Sequence, residues 1–361
     1  MKLIKLKISN FRNIENAELD FSPDTTIICG NNAEGKTNVI EAIYAFAHAR
    51  SFRRAKEREM IRFGCDNSCV ISEFEEKGRK TTFEIRLSRK SGKSFYYNGI
   101  KLEKMRDFFG HFNAVLFVPE YLRIIKNGPA ERRSFIDSAL CQIKGQYISM
   151  LFIYHKLCEE KNAVLKNFKG SESEKLMLEV YNERLAKSAA QISREREWYL
   201  EKIAPYAIEH YRQMSGGEKL SIEFLPSGLS EKVENYEEFY KNLFEKSIES
   251  DVRIQRMSNG AGFDDVEIKI NGTSARSFAS QGQQRSAVIA LKLAEGEIAE
   301  EIAKTSPIYL FDDVLSELDE NRRQYITQKL EKKQVVITSC NIEKTENKKT
   351  YLAKKGTYTE I

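Results

Sequence analysis

Residues 27–46 read "IICGNNAEGKTNVIEAIYAF", and that stretch decides the fold. Ile27 and Ile28 close an apolar run expected to be a buried strand. Gly30, Asn31, Asn32, Ala33, Glu34, Gly35, Lys36 and Thr37 then fit the spacing G-x-x-x-x-G-K-[ST], with Asn38 next. The two glycines let the backbone bend and approach a phosphate closely. The amides between them form an anion nest that ends at a helix N-terminus. Lys36 is expected to reach the β- and γ-phosphates of a nucleotide, and the Thr37 hydroxyl to hold Mg²⁺. Beyond Thr37, Val39, Ile40, Ile43, Tyr44 and Ala47 recur at helical spacing. The motif therefore stands between a strand and a helix, where its mechanism needs it.

The rest of the chain frames this cradle. At 361 residues with 41% hydrophobic and 31% charged residues, one or two ordinary globular domains are expected. Apolar runs fall well short of the roughly 18 residues of a membrane span, and "MKLIKLKISNFRN" alternates like a strand and not like a signal peptide. Six scattered cysteines suit a reducing cytoplasm. Cys65 and Cys69 have no second Cys/His pair beside them to make a zinc site. A net charge of +5 does not by itself imply nucleic acid. Residues 50–62, "RSFRRAKEREMIR", do concentrate six Arg/Lys against two Glu. Arg53, Arg54 and Arg58 are therefore candidates for DNA phosphate contacts, against the plainer reading of a solvated helix face.

Short alternating strands are expected over residues 2–8 and 17–21, and antiparallel strands over 68–100 with a hairpin turn at Asn98-Gly99. "NAVLFVPE", 113–120, is a buried strand halted by Pro119. Helical periodicity dominates 131–214, with a capping box at Ser171 and Glu174 and a kink or division expected at Pro205. Another helix is expected over 231–250, and strand character returns after Gly260.

Near the end, "SPIYLFDDVLSELD", 306–319, runs an apolar strand into Asp312-Asp313. A strand ending in a carboxylate can present a Mg²⁺ partner to the cradle. Asp312 is assigned to the metal, with Thr37. Asp313, with Lys36, is assigned to catalysis, as the group that polarises the attacking water. Between the two regions, Ser280, Gly282 and Gln283 precede an amphipathic helix, a second helix start suited to an anion. One chain has little use for two; in a dimer, the second would close on the partner's nucleotide. "SGGEK", 215–219, imitates such a signature, but a strand follows it, so its glycines are expected to be a helix stop.

The order of cradle, helical insert, Ser-x-Gly-Gln helix, apolar-Asp-Asp and "SELD" resembles the ABC-type ATPases. Together with "NFRN", "SFR" and "FVPEYLRIIKNGPAERRSFID", 117–137, it resembles the RecF family of the ABC/SMC branch across almost the whole chain. The resemblance implies an α/β fold. An ABC-type (P-loop) ATPase head, residues 1–119 and 266–361, carries an antiparallel β subdomain and an inserted helical arm, 120–265. It also implies ATP and Mg²⁺ as cofactors, an ATP-dependent homodimer, DNA as ligand, RecR and RecO-type mediators as partners, RecA loading at gaps, and a cytoplasmic, nucleoid-associated place without membrane. Phe11 and Arg12 become candidates for adenine contact. Asp313 is one methylene shorter than the usual glutamate. "QVVITSC" ends in Thr338-Ser339 without histidine, which leaves those hydroxyls as candidate γ-phosphate sensors. Slow, switch-like hydrolysis is therefore expected. Competing readings are a transporter nucleotide-binding subunit, a structural tether, which needs far longer coiled coils than this insert allows, and a nuclease-regulating head.

Overall fold

The computed structural model describes residues 1–76, 78–230, 233–340 and 348–361. A hairpin of β1 (Lys2–Phe11) and β2 (Ile14–Asp20) precedes β3 (Thr25–Cys29), which feeds through the glycine loop into α1 (Lys36–His48). Then come α2 (Glu57–Met60), β4 (Asn67–Glu76), β5 (Arg79–Ser88), β6 (Gly92–Tyr97), β7 (Ile100–Lys101) and β8 (Ala114–Phe117). The middle of the chain holds α3 (Arg123–Lys126), α4 (Pro129–Ile143), α5 (Tyr147–Lys166), α6 (Glu172–Ser215), β9 (Leu220–Leu225) and α7 (Tyr236–Ile254). The last part is β10 (Asp265–Ile270), β11 (Thr273–Ser274), α8 (Ala275–Phe278), α9 (Gln281–Ala303), β12 (Ile308–Asp312), α10 (Glu320–Lys329), β13 (Val335–Ser339), β14 (Lys349–Lys354) and β15 (Thr357–Glu360).

These strands form three sheets. One has the order β15-β14-β3-β13-β12-β8 and is parallel except for the edge strand β15. A second, antiparallel throughout, has the order β2-β1-β4-β5-β6-β7. A small third sheet joins β11, β10 and β9. Strand periodicity splits the parallel sheet between two cores. Ile308 and Leu310 of β12 face α1 and the antiparallel sheet. Tyr309 and Phe311 face Ile289 and Leu293 of α9 and Ile326 of α10. A third core gathers α4 to α7 and β10, and also takes in the far side of α9, from Ala287 to Ile298. Helix α9 is thus shared between the head and the helical arm.

Four details differ from the sequence reading or refine it. The antiparallel strands are longer than expected, with β1 and β2 paired directly as a hairpin. Helix α6 is not divided at Pro205: it runs unbroken for 44 residues, about 66 Å at helical rise. Burial of Leu200, Ile203, Ala207 and Tyr211 on either side of the proline holds the helix together there. The basic stretch 50–62 is not a helix face either, because only Glu57–Met60 is helical and Arg54 sits at φ 59°, where helix cannot continue. The helix expected from residue 231 begins at Tyr236, capped by the Asn235 side chain; residues 231–232, like residue 77 in the expected strand region, lie outside the described residues.

Candidate nucleotide site

The parallel sheet brings the catalytic candidates to one edge. β3, β13 and β12 are neighbours and all end on the same side, so the cradle, Thr338 and Asp312 stand side by side. This is the carboxyl end of the strands, where open α/β sheets bind ligands. The Thr37 hydroxyl donates to Asp312 Oδ1 at 2.9 Å, across 275 residues of sequence. Thr338 Oγ1 donates to the same oxygen at 2.7 Å and accepts from the Asp313 amide at 3.0 Å. Asp312 is only 7% exposed. Burial pushes its carboxyl above the usual aspartate range, the Thr338 and Thr37 hydroxyls pull it back, and the Asp313 charge adds to the rise.

The cradle needs its glycines. At Gly30, φ is 148° and a Cβ would lie 2.5 Å from the Ala353 carbonyl oxygen of β14, an impossible approach. At Gly35, φ is 106° and a Cβ would meet Asn13 Oδ1 and the Tyr358 hydroxyl, each at 2.9 Å. Gly35 is the N-cap of α1 and no side chain caps that helix; the Asn38 amide donates to the Gly35 carbonyl at 2.9 Å, and no side chain competes with an anion for the amides before it. Lys36 is buried, and its ammonium donates to the carbonyls of Gly30 (2.7 Å) and Asn31 (3.1 Å). The Cys340 thiol lies 3.4 Å from Lys36 Nζ and 3.1 Å from Asn32 Oδ1. Ala33 adopts φ 67°. The Glu34 carboxylate accepts from the Lys355 amide, and its carbonyl accepts from Gly356 at 3.0 Å. Asn38 accepts from Arg53 at 3.0 Å and donates to Asn13 at 2.7 Å. Asp313 sits at φ 52°, a strained conformation for a non-glycine residue of the kind found at functional sites.

Ser280, Gly282 and Gln283 are not in the cradle. Among the described residues they bond elsewhere. Ser280 is the N-cap of α9 and exchanges hydrogen bonds with Gln283 in a capping box. Gln283 also donates to Glu218 at 2.7 Å, and the Gly282 carbonyl accepts from Arg322 at 3.1 Å. Arg322 further donates to Ser286 at 2.7 Å. Gly216 and Gly217 are the helix stop expected of them, with Gly216 in the left-handed region as C-cap of α6.

Other expectations change. Phe11 is 1% exposed and belongs to the core beneath the antiparallel sheet, so it offers no surface to adenine. Arg12 clasps the fully buried Glu41 carboxylate through two nitrogens, at 2.8 and 2.5 Å. The Thr338 hydroxyl, a candidate γ-phosphate sensor, bonds Asp312 and the Asp313 amide in this structure. Among the DNA candidates, Arg54 pairs with Glu131 and Arg53 with Asn38, with Glu41 3.7 Å away; among the described residues Arg58 has no ion pair. Sequence reasoning missed the buried Glu41, shared by Arg12, Arg53 and Ser51. It also missed Asn13, Tyr358 and Glu218. Glu41, Asn13 and Glu218 stood in stretches already singled out, 27–46, "NFRN" and "SGGEK", but with no role assigned to them; Tyr358 stood in none.

The family model for the RecF/RecN/SMC N-terminal domain matches residues 2–357. The DNA replication and repair protein RecF of Clostridium acetobutylicum is 37% identical over 342 residues, covering 95% of this chain and 93% of its own length. The chain belongs to the RecF family. Its counterpart in Clostridium botulinum (strain Loch Maree) is 35% identical over 356 residues, covering 98% of this chain and 96% of its own. Among solved structures, the recombination mediator protein RecF-ATP in the RecFOR pathway superposes with a TM-score of 0.93 at 34% identity, covering 100% of this chain and 97% of that one. A Pyrococcus furiosus Smc head domain matches at a TM-score of 0.58 and 16% identity, over 100% of this chain and 96% of that one, a likeness of fold. The ABC/SMC-type head inferred from motif order is therefore the fold of this RecF family member. Among the described residues, no helix is long and apolar enough to cross a membrane.

Proposed function

We propose that this chain is an ATP-dependent DNA-binding recombination mediator, with ATP seated on Gly30 to Asn38 and hydrolysed slowly. One observation carries the reading: the 2.9 Å contact between Thr37 and Asp312, which joins the cradle to the acid pair. A hydroxyl and a carboxylate are hard oxygen donors that fit Mg²⁺, an ion that keeps its remaining positions for water and phosphate oxygens. Thr37 and Asp312 would hold it, and its charge would offset that of the nucleotide's phosphates. Lys36 is within reach of those phosphates by turning from its own loop carbonyls. Asp313, held by the Thr338 bond to its amide, polarises the attacking water.

Ser280, Gly282 and Gln283 serve a second copy of the chain, because their hydrogen bonds keep them with Glu218 and Arg322 and away from their own cradle. ATP acts as a switch for an ATP-dependent homodimer that holds DNA. Arg58 is the first phosphate contact to test, with Arg53 and Arg54 behind their protein partners. RecO- and RecR-type mediators, named by the pathway of the solved relatives, are the partners of this reading, and the cytoplasmic nucleoid its place. The test is a titration of gapped, single-stranded and duplex DNA with and without ATP and Mg²⁺. Tighter binding to gapped DNA with ATP is expected. Equal affinity for all three, with and without ATP, would overturn the reading.

A further inference from the structure

Glu218 stands in "SGGEK", the stretch that only imitates a signature. The strand β9 that follows brings its side chain to the real one. Glu218 Oε1 accepts from Gln283 Nε2 at 2.7 Å, and Oε2 accepts from the Tyr211 hydroxyl at 2.8 Å. Tyr211 is fully buried near the end of α6. The chain of bonds therefore runs from the arm helix, through Glu218, to the first turn of α9.

The direction of these bonds matters. An ionised carboxylate only accepts hydrogen bonds. The amide edge that Gln283 turns toward Glu218 must be its NH₂, so its carbonyl oxygen must face the other way. That oxygen accepts from the Ser280 amide at 2.8 Å, and the Gln283 amide donates to Ser280 Oγ at 3.2 Å. Ser280 Oγ is thus used as an acceptor, and its proton remains to be given outward. Ser280 is exposed, and among the described residues its hydroxyl is bonded only as an acceptor, so it is able to donate to solvent or to whatever docks there.

We propose that Glu218 is the positioning residue of the signature turn: it fixes the Gln283 amide and thereby aims the Ser280 hydroxyl proton at the nucleotide of a second copy. The proposal rests on the reading that Ser280 completes the partner's site. It gives the helical arm a direct hold on that site, since Tyr211 anchors Glu218 from α6. It also assigns a use to a motif that is otherwise only a turn.

The test uses the full chain and two measurements: ATP affinity at protein concentrations where it is monomeric, and dimerisation driven by ATP and Mg²⁺, read by sedimentation. Glu218→Ala should leave monomer ATP affinity within about twofold of wild type and weaken dimerisation about 10- to 100-fold, the range for losing a hydrogen bond to a charged group. Glu218→Gln should rescue dimerisation, because its carbonyl oxygen still accepts from Gln283 and its amide can donate to Tyr211. Should Glu218→Ala fail to fold, Glu218→Lys against Glu218→Gln gives the same contrast, since an ammonium would turn the Gln283 amide over. Wild-type dimerisation in Glu218→Ala, equal loss in Glu218→Gln, or a matching fall in monomer ATP affinity would each overturn the proposal. A wild-type protein that stays monomeric with ATP and Mg²⁺ would instead overturn the shared-site reading, and the proposal with it.

Discussion

Helices α6 and α9 both start with a serine capping box, and they close it differently. At α6, Ser171 accepts from the Glu174 amide, and its own hydroxyl donates to the Glu174 carboxylate at 2.8 Å. At α9, Ser280 accepts from the Gln283 amide at 3.2 Å, while the Gln283 side chain is turned so that its oxygen serves the Ser280 amide and its NH₂ serves Glu218. The first cap spends its hydroxyl proton inside the helix start. The second keeps it. Helix α1 goes further and has no side-chain cap at all. Three helix starts thus form a series: one closed on itself, one closed except for a proton, and one open. The open one suits the proposed phosphate seat, and the second suits the proposed completion of a site begun in another copy.

The predictions sharpen or break that series. The largest effect is expected away from all three caps and calibrates the others. Asp313→Asn should keep ATP affinity and slow hydrolysis by roughly 10²–10⁴, the scale of lost general-base help; single-turnover hydrolysis measures it, and a normal rate would move the role elsewhere. At the open helix start, Lys36→Ala removes charge-assisted bonds to phosphate and should weaken ATP binding by about 10²-fold in a nucleotide titration. Unchanged affinity would mean that the uncapped α1 is not the phosphate seat.

Ser280→Ala and Ser171→Ala form the sharpest contrast. Each should cost about 1 kcal/mol of stability as a lost cap. Ser280→Ala should also weaken ATP-driven dimerisation about tenfold, whereas Ser171→Ala should leave it unchanged. Equal behaviour of the two variants in sedimentation would erase the distinction between the caps.

The smallest expected effect is in pH dependence. Burial raises the Asp312 carboxyl while the hydroxyl bonds of Thr338 and Thr37 lower it. In its proposed role Asp312 must be ionised to hold Mg²⁺, so activity is expected to be lost as pH falls through its raised folded value. Thr338→Val removes one lowering bond, so the acid limb of the pH–rate profile should move to higher pH. For stability the sign is opposite. A carboxyl raised by burial favours its neutral folded form, so this contribution fades as pH rises through the folded value. A limb that stays in place or moves down would show that Thr338 does not set the carboxyl.

Much of this was legible in the linear chain because its signals are local. The cradle is eight consecutive residues, Asp312-Asp313 ends an apolar strand, and Ser280, Gly282 and Gln283 stand just before an amphipathic helix. The parallel sheet then explains why motifs far apart in sequence meet, since β13 places Thr338 between the ends of β3 and β12. What stayed hidden is non-local. Nothing about Glu218 in sequence says that its carboxylate meets Gln283, 65 residues on. Asn13 and Tyr358 support the cradle from two ends of the chain. Glu41 looks like a surface residue of a helix until the sheet and residues 51–53 bury it. Pro205 does not divide α6, because the side chains flanking it are buried on both sides.

The central claim is that the open start of α1 in one copy and the nearly closed start of α9 in another share one nucleotide. Mixing two dead proteins tests it most directly. Lys36→Ala lacks the cradle charge, and Ser280→Arg fills the place where a partner's phosphate would dock. In a mixed dimer one site carries both lesions and the other carries neither. The account predicts that mixing restores ATPase, to at most about half of wild type per dimer if the sites act independently. Mixed dimers that form, as shown by crosslinking, yet remain inactive would contradict it.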